Sequence, residues 1–287
     1  MMIKTERIMI YPASREQMEK IILAEKDDEL KKAYGEMTVF AEKGRNKMRS
    51  YLETKNLTKQ YGSFEAVKDM NIHIDRGEIY GLIGPNGAGK TTLMRMLVGF
   101  ATPTSGEIEV AAGDNYLTKV GCLIESPGIY GYLNAFDNMK LRAISMGLHD
   151  QKEILDILDF VGLSREPKKK AGKFSLGMKQ RLGIGMALLG SPEFLILDEP
   201  INGLDPQGII EMRELIKRLN EEKNMTIMIS SHILGELQKV ATVFGIISEG
   251  KLVTEVTAEE LKNSYIGEAD SLEEFYLDII RKGQKAC

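Results

Sequence analysis

Cysteine is scarce in this 287-residue chain, and the scarcity removes whole classes of protein. Cys122 and Cys287 cannot supply the disulfide framework of a small secreted domain, and they match no paired zinc-ligand spacing. A reducing, cytosolic setting is expected. Long apolar runs are missing too: no stretch approaches the roughly 18 consecutive apolar residues of a membrane span, and the opening MMIKTERIMIYPASREQ is too charged for a signal peptide. Positive charge is not in excess either. With 38 basic and 42 acidic residues the net charge is -4, so the chain has no polycation character with which to neutralise phosphates, and no nucleic-acid partner is expected.

What remains is a chain with 43 % hydrophobic residues, enough to bury one large core or two small ones. Residues 1–49 read as an N-terminal helical extension of unknown role. Ser14 with Gln17 forms a capping-box pattern, and Met18, Ile21, Ile22 and Leu30 supply a short apolar stripe. From Tyr51 the texture changes. Short β-rich runs (YLETKNL, AVKDMNIHI, EIYGLIG) give way to strand and helix signals in alternation: GKTTLMRMLVGF helical, KVGCLIE extended, NAFDNMKLRAISMG and DQKEILDILDFVGL helical. SLGMKQRLGIGMALLG and PQGIIEMRELIKRLNEEKN are further helices, the second with Pro in its first turn. FLILD and TIMIS are nearly all apolar, as strands buried on both faces of a parallel sheet must be. An α/β core is predicted, closed by the strands VFGIIS and KLVTEV and by terminal helices, TAEELKN and SLEEFYLDIIRKG.

The strongest chemical signal is Gly84-Pro-Asn86-Gly87-Ala-Gly89-Lys90-Thr91-Thr92, lying between the strand EIYGLIG and a helix. In that context the glycines let successive backbone N–H groups turn inward around an anion, and the helix N-terminus adds its positive end. Lys90 would neutralise the β and γ phosphates, and Thr91 could ligate magnesium. Over a hundred residues later, Phe194-Leu-Ile-Leu-Asp198-Glu199-Pro200 describes a buried strand delivering two carboxylates to the C-terminal edge of the sheet, where such sheets bind ligands. Asp198 would hold magnesium through water and Glu199 would polarise an attacking water. The pairing points to a nucleoside triphosphatase using Mg2+.

Between the two elements stands Phe174-Ser175-Leu176-Gly177-Met178-Lys179-Gln180-Arg181 at a helix start. Here the chain resembles the ATP-binding cassette (ABC) family: FSLGMKQR is similar to its LSGGQ signature, with Ser175 and Gly177 kept. Asn202-Gly-Leu-Asp205 resembles the family's D-loop, Ser230-Ser231-His232 its switch histidine, and Tyr61 the aromatic that stacks on adenine. The resemblance covers about residues 51–256 and implies a P-loop core with an antiparallel β subdomain, a helical subdomain near 126–190 and C-terminal helices near 257–283, all within a domain spanning 50–287. One motif departs. Where the family carries a Q-loop glutamine, KVGCLIE125SPG carries Glu125, which brings negative charge toward the γ phosphate and metal. This feature and the stretch FSLGMKQRLGIGMALLGSPEFLILDEPINGLDP are similar to the ATP-binding subunits of bacitracin and lantibiotic exporters.

By that resemblance two copies pair head to tail, each ATP lying between the P-loop of one and Ser175 and Gly177 of the other. The chain docks on a separate transmembrane permease at the inner face of the membrane, through the segment bearing Tyr130, Tyr132, Phe136 and Phe160. Two other readings are a cassette acting on nucleic acid or ribosomes and a non-enzymatic nucleotide-binding regulator. A single P-loop with no long coiled coil argues against the first, and the presence of Glu199 and His232 against the second. Methionines in MRM and IGM read as core filler, and His73, His149 and the Lys168–Lys170 run as structural or surface groups. Met48 sits just ahead of the family-like first strand, so residues 1–47 are expected to be dispensable.

Overall fold

The computed structural model describes residues 50–262 apart from Ala112, Asp114 and Glu166. The helices expected within residues 1–49 and over SLEEFYLDIIRKG lie outside them. Strands β1 (Ser50–Tyr61), β2 (Phe64–Met70), β3 (His73–Asp75) and β5 (Ser105–Val110) form a four-stranded sheet, in which β1 pairs antiparallel with β2 and β5. A second sheet has the order β10-β9-β4-β8-β7-β6, from β4 (Ile79–Ile83), β6 (Val120–Leu123), β7 (Phe194–Leu197), β8 (Thr226–Ser231), β9 (Val243–Ser248) and β10 (Lys251–Thr257). Its strands run parallel except β10, which returns antiparallel along β9.

Apolar runs such as FLIL are explained by what covers them. Phe194 and Ile196, with Tyr80, Leu82 and Met228, face the helix α1 (Lys90–Leu97) and, through Tyr51, Leu52 and Val67, the first sheet. Leu195 and Leu197, with Ile79, Ile227 and Ile229, face the opposite way, onto the helices α2 (Ala135–Ser145), α3 (Gln151–Phe160), α4 (Leu176–Ala187) and α5 (Pro206–Lys223). Strand side chains alternate faces, so a strand with helices or a sheet on both sides must be apolar throughout. Met94 and Met96 of MRM are buried filler, as read from the sequence, and Met186 of IGM packs half-buried against the core.

Helix starts follow their sequence signals. Asn134, Asp150, Ser175 and Asp205 cap α2, α3, α4 and α5, each accepting a backbone N–H on its side-chain oxygen. His73 stands between Asp75 (Nε2 to Oδ1, 2.9 Å) and Glu53 (Nδ1 to Oε1, 3.3 Å), a structural surface group.

Candidate active site

The P-loop leaves β4, whose five residues are all buried, and enters α1. Among the described helices of eight or more residues, α1 is the exception in having no side-chain cap, and its first turn carries no acid. Its N-terminal N–H groups and positive end are left for an anion. Two glycines are dictated by the backbone: a Cβ on Gly84 would stand 2.4 Å from the Ile247 carbonyl oxygen, and one on Gly89, at φ 102°, 2.4 Å from that of Ala66. Asn86 and Gly87 are exposed at the tip of the loop, and Thr92 is half-buried on α1.

The expected acids and cations converge on this loop. Thr91 Oγ1 donates to Asp198 Oδ2 at 2.7 Å, and Ser230 Oγ, at the end of the neighbouring β8, donates to Asp198 Oδ1 at 2.6 Å. The same Ser230 Oγ accepts the Glu199 N–H at 2.9 Å. Glu199 is held from two sides: Lys90 Nζ lies 3.4 Å from Oε1, and His232 Nδ1 2.8 Å from Oε2. Lys90, nearly buried, also donates to the Gly84 carbonyl at 2.7 Å. The buried Lys90 ammonium is tolerable because it is paired with Glu199 and hydrogen-bonded, and the buried Asp198 carboxylate because each of its oxygens accepts a hydroxyl hydrogen.

A hydroxyl and a carboxylate, both hard oxygen donors at the foot of the anion cradle, fit magnesium held partly by substrate phosphates. Tyr61 closes β1 with its ring half-exposed and Lys59 Nζ over one face, 5.0 Å from its centre.

Other expected residues stand apart from this cluster. Ser175 Oγ accepts the Met178 N–H at the start of α4, and Asp205 caps α5; no hydrogen bond among the described residues joins either to the P-loop. Gly177 lies on the first turn of α4, where a Cβ would meet only Leu204 at 3.8 Å. Of the four aromatics expected on a docking face, Tyr130 and Tyr132 are exposed, their rings 5.9 Å apart. Phe136 packs against the core, and Phe160 lies under the Arg218 guanidinium at 4.3 Å, so these two are structural.

Glu125 follows β6 in the left-handed backbone region (φ 64°), its carboxylate 2.5 Å from Arg95 Nη2 of α1. Sequence reasoning missed Arg95. It follows Lys90 on the same helix, but nothing in the spacing to residue 125 announces the contact. Ser230 was read only as part of the switch motif, and its double role becomes visible once β7 and β8 lie side by side.

The sequence pattern of the ABC transporter family matches residues 67–202. The chain is 51 % identical to the bacitracin transport ATP-binding protein BcrA of Bacillus licheniformis, over 75 % of this chain and 72 % of that one. It is 45 % identical to the lantibiotic transport ATP-binding protein SrtF of Streptococcus pyogenes, over 78 % and 95 % respectively. A solved ATP-binding subunit of an ABC transporter superposes with TM-score 0.68 at 31 % identity, covering 80 % of this chain and 99 % of the other. A dimeric ATP-binding cassette in a post-hydrolysis state, bound to ADP and Pi, superposes with TM-score 0.64 at 26 % identity, covering 72 % and 98 %. With relatives this similar aligned over most of their length, and with P-loop, acidic strand and switch histidine gathered at one sheet edge, the chain belongs to the ATP-binding cassette family of ABC transporters.

Proposed function

We propose that this ATPase powers a membrane exporter of peptide antibiotics of the bacitracin or lantibiotic kind, and that its catalytic site is built from Lys90, Thr91, Asp198, Glu199 and His232. The transport class rests on the two relatives above. One observation carries the site: the continuous set of contacts from Thr91 through Asp198 and Ser230 to Glu199, His232 and Lys90, beneath an uncapped helix start.

The triphosphate lies on the N–H groups of residues 86–91, with Lys90 trading its loop carbonyls for phosphate oxygens and Tyr61 stacking on the base. Thr91 and Asp198 would hold Mg2+, which supplies charge neutralisation on the phosphates. Glu199 accepts a hydrogen bond from the attacking water and orients it. His232, through Nδ1, fixes the rotamer of Glu199. The water oxygen bonds to the γ phosphorus as the bond to the β–γ bridging oxygen breaks. Glu125, Ser175, Gly177 and Asp205 belong to the nucleotide environment, Glu125 from the Q-loop position of the same chain and the signature residues from a second copy facing head to tail.

No helix among the described residues is long and apolar enough to cross a membrane. By its likeness to transport ATP-binding subunits, the chain is assigned a peripheral place on the cytoplasmic face, through a separate permease. A cavity of about 230 Å³ between β6, α2 and α4, lined by Phe100, Cys122, Pro127, Arg142 and Met146, lies beside the loop that carries Glu125 and is the docking site assigned to that permease.

The test is Glu199→Gln. It removes the water-orienting charge and leaves the phosphate cradle, so ATP should bind as in the parent while turnover falls by roughly two to four orders of magnitude. Turnover at the parent rate would remove Glu199 from the mechanism. Efflux of bacitracin or a lantibiotic by the reconstituted complex checks the transport class.

A further inference from the structure

We propose that Arg95 is a positioning residue for Glu125: it draws that carboxylate onto the P-loop helix and keeps it from Glu199. The argument starts from strand register. β6 and β7 run parallel with Leu123 opposite Leu197, and the Asp198 N–H continues the pairing onto the Leu123 carbonyl at 2.8 Å. Two residues beyond each member of that pair stand Glu125 and Glu199, so the two strand ends deliver acids to equivalent positions on neighbouring strands. Both have left-handed backbones, φ 64° and 49°, a conformation that side chains with a Cβ seldom adopt and that recurs at functional sites.

Two like charges at adjacent strand ends repel. The structure answers with two cations from one helix: α1 sends Lys90 to Glu199 at 3.4 Å and Arg95 to Glu125 at 2.5 Å. The carboxylate at position 125 is thus compensated by a specific partner. Because the Glu125 loop also flanks the cavity, through Ile124 and Ser126, the ion pair ties part of that cavity's lining to the helix after the P-loop. The two side chains are 40 % and 61 % exposed, so the pairing is solvent-screened and its effect modest.

The inference rests on the nucleotide site proposed above, and its test separates the two. ATP affinity of the full chain is measured by nucleotide fluorescence, with Mg2+ and with EDTA, for the parent, Arg95→Met, Arg95→Lys, Glu125→Gln and the double variant Arg95→Met/Glu125→Gln. Arg95→Met should weaken Mg2+-ATP binding by about three- to fivefold at low salt in the parent, and by less than about twofold in the Glu125→Gln background. Arg95→Lys should restore most of the loss, and high salt should shrink it. An arginine that merely complements the carboxyl end of α1 would cost the same in both backgrounds, and that result overturns the proposal. Failure of the parent chain to bind ATP would instead overturn the site itself.

Discussion

Each oxygen of the Asp198 carboxylate accepts one hydroxyl hydrogen, from Thr91 and from Ser230, and the residue is only 6 % exposed. Ser230→Ala would strip one oxygen of its donor and the Glu199 N–H of its acceptor. An unsatisfied buried group costs about 1–3 kcal/mol, and each kcal/mol lowers the melting temperature of a chain this size by about 2–4 °C. A thermal melt should show that loss together with lower turnover, whereas Thr91→Ser, which keeps a hydroxyl, should melt close to the parent. Glu78, in the turn before β4, behaves differently. It accepts the Asp75 N–H at 2.8 Å, yet burial prevails and pushes its carboxyl above the ordinary 4.5. A raised folded-state value means stability from this group is full below about 4.5 and lost as pH rises through the folded value. Glu78→Gln cannot ionise, so its urea midpoint should exceed that of the parent near neutral pH and meet it in acid.

Among elements, the closest approach near the site is that of α4 to β6. A Cβ on Gly121 would come within 2.1 Å of the Ala187 carbonyl oxygen, and one on Gly183 within 2.7 Å of Pro127. The helix that starts at Ser175 therefore rests directly on the strand that ends before Glu125. Gly121→Ala should destabilise the chain by at least the roughly 1–3 kcal/mol of an overpacked core, read as a lower denaturant midpoint, and should also reduce turnover by displacing the Glu125 loop. Neither glycine stood out in the sequence, because close approach depends on which elements become neighbours. The strands of the parallel sheet were legible in FLILD and TIMIS because burial on both faces leaves only apolar choices. The edge strand β5, SGEIEV, escaped notice: its residues are exposed or half-buried, so it shows no apolar run. The four-residue helix α6 (Leu234–Leu237) is too short for a periodic pattern to register. The P-loop and the acidic strand were legible because their chemistry is confined to contiguous residues. The Arg95–Glu125 pair joins separate elements and was not.

For the whole molecule, the separation of the α4 start from the P-loop leaves the signature residues facing outward. Gly177 has room for a side chain within its own chain, the nearest atom to a Cβ being 3.8 Å away. Gly177→Asp should therefore melt like the parent. In the Glu199→Gln background with ATP, size-exclusion chromatography should show a dimer, and adding Gly177→Asp should abolish it, since a carboxylate would meet the partner's triphosphate. A dimer that survives this substitution would remove Gly177 from the interface. Strand order has a consequence of another kind, for synthesis. Among the described strands, β4, from which the P-loop departs, pairs with β8 and β9, which lie far downstream in the chain. The loop itself is clasped by later residues: the Gly250 N–H donates to the Ala88 carbonyl at 3.1 Å, and Ile247 abuts Gly84. A nascent chain thus carries its P-loop out of the ribosome without the neighbours that shape it, for on the order of ten seconds at ordinary elongation rates. During that interval α1 can lean on β1 and β2, which precede it in the chain, but lacks the Phe194, Ile196, Met228 and Ile247 side chains that complete its apolar packing, and ATP cannot serve as a folding template until the turn after β9 has emerged.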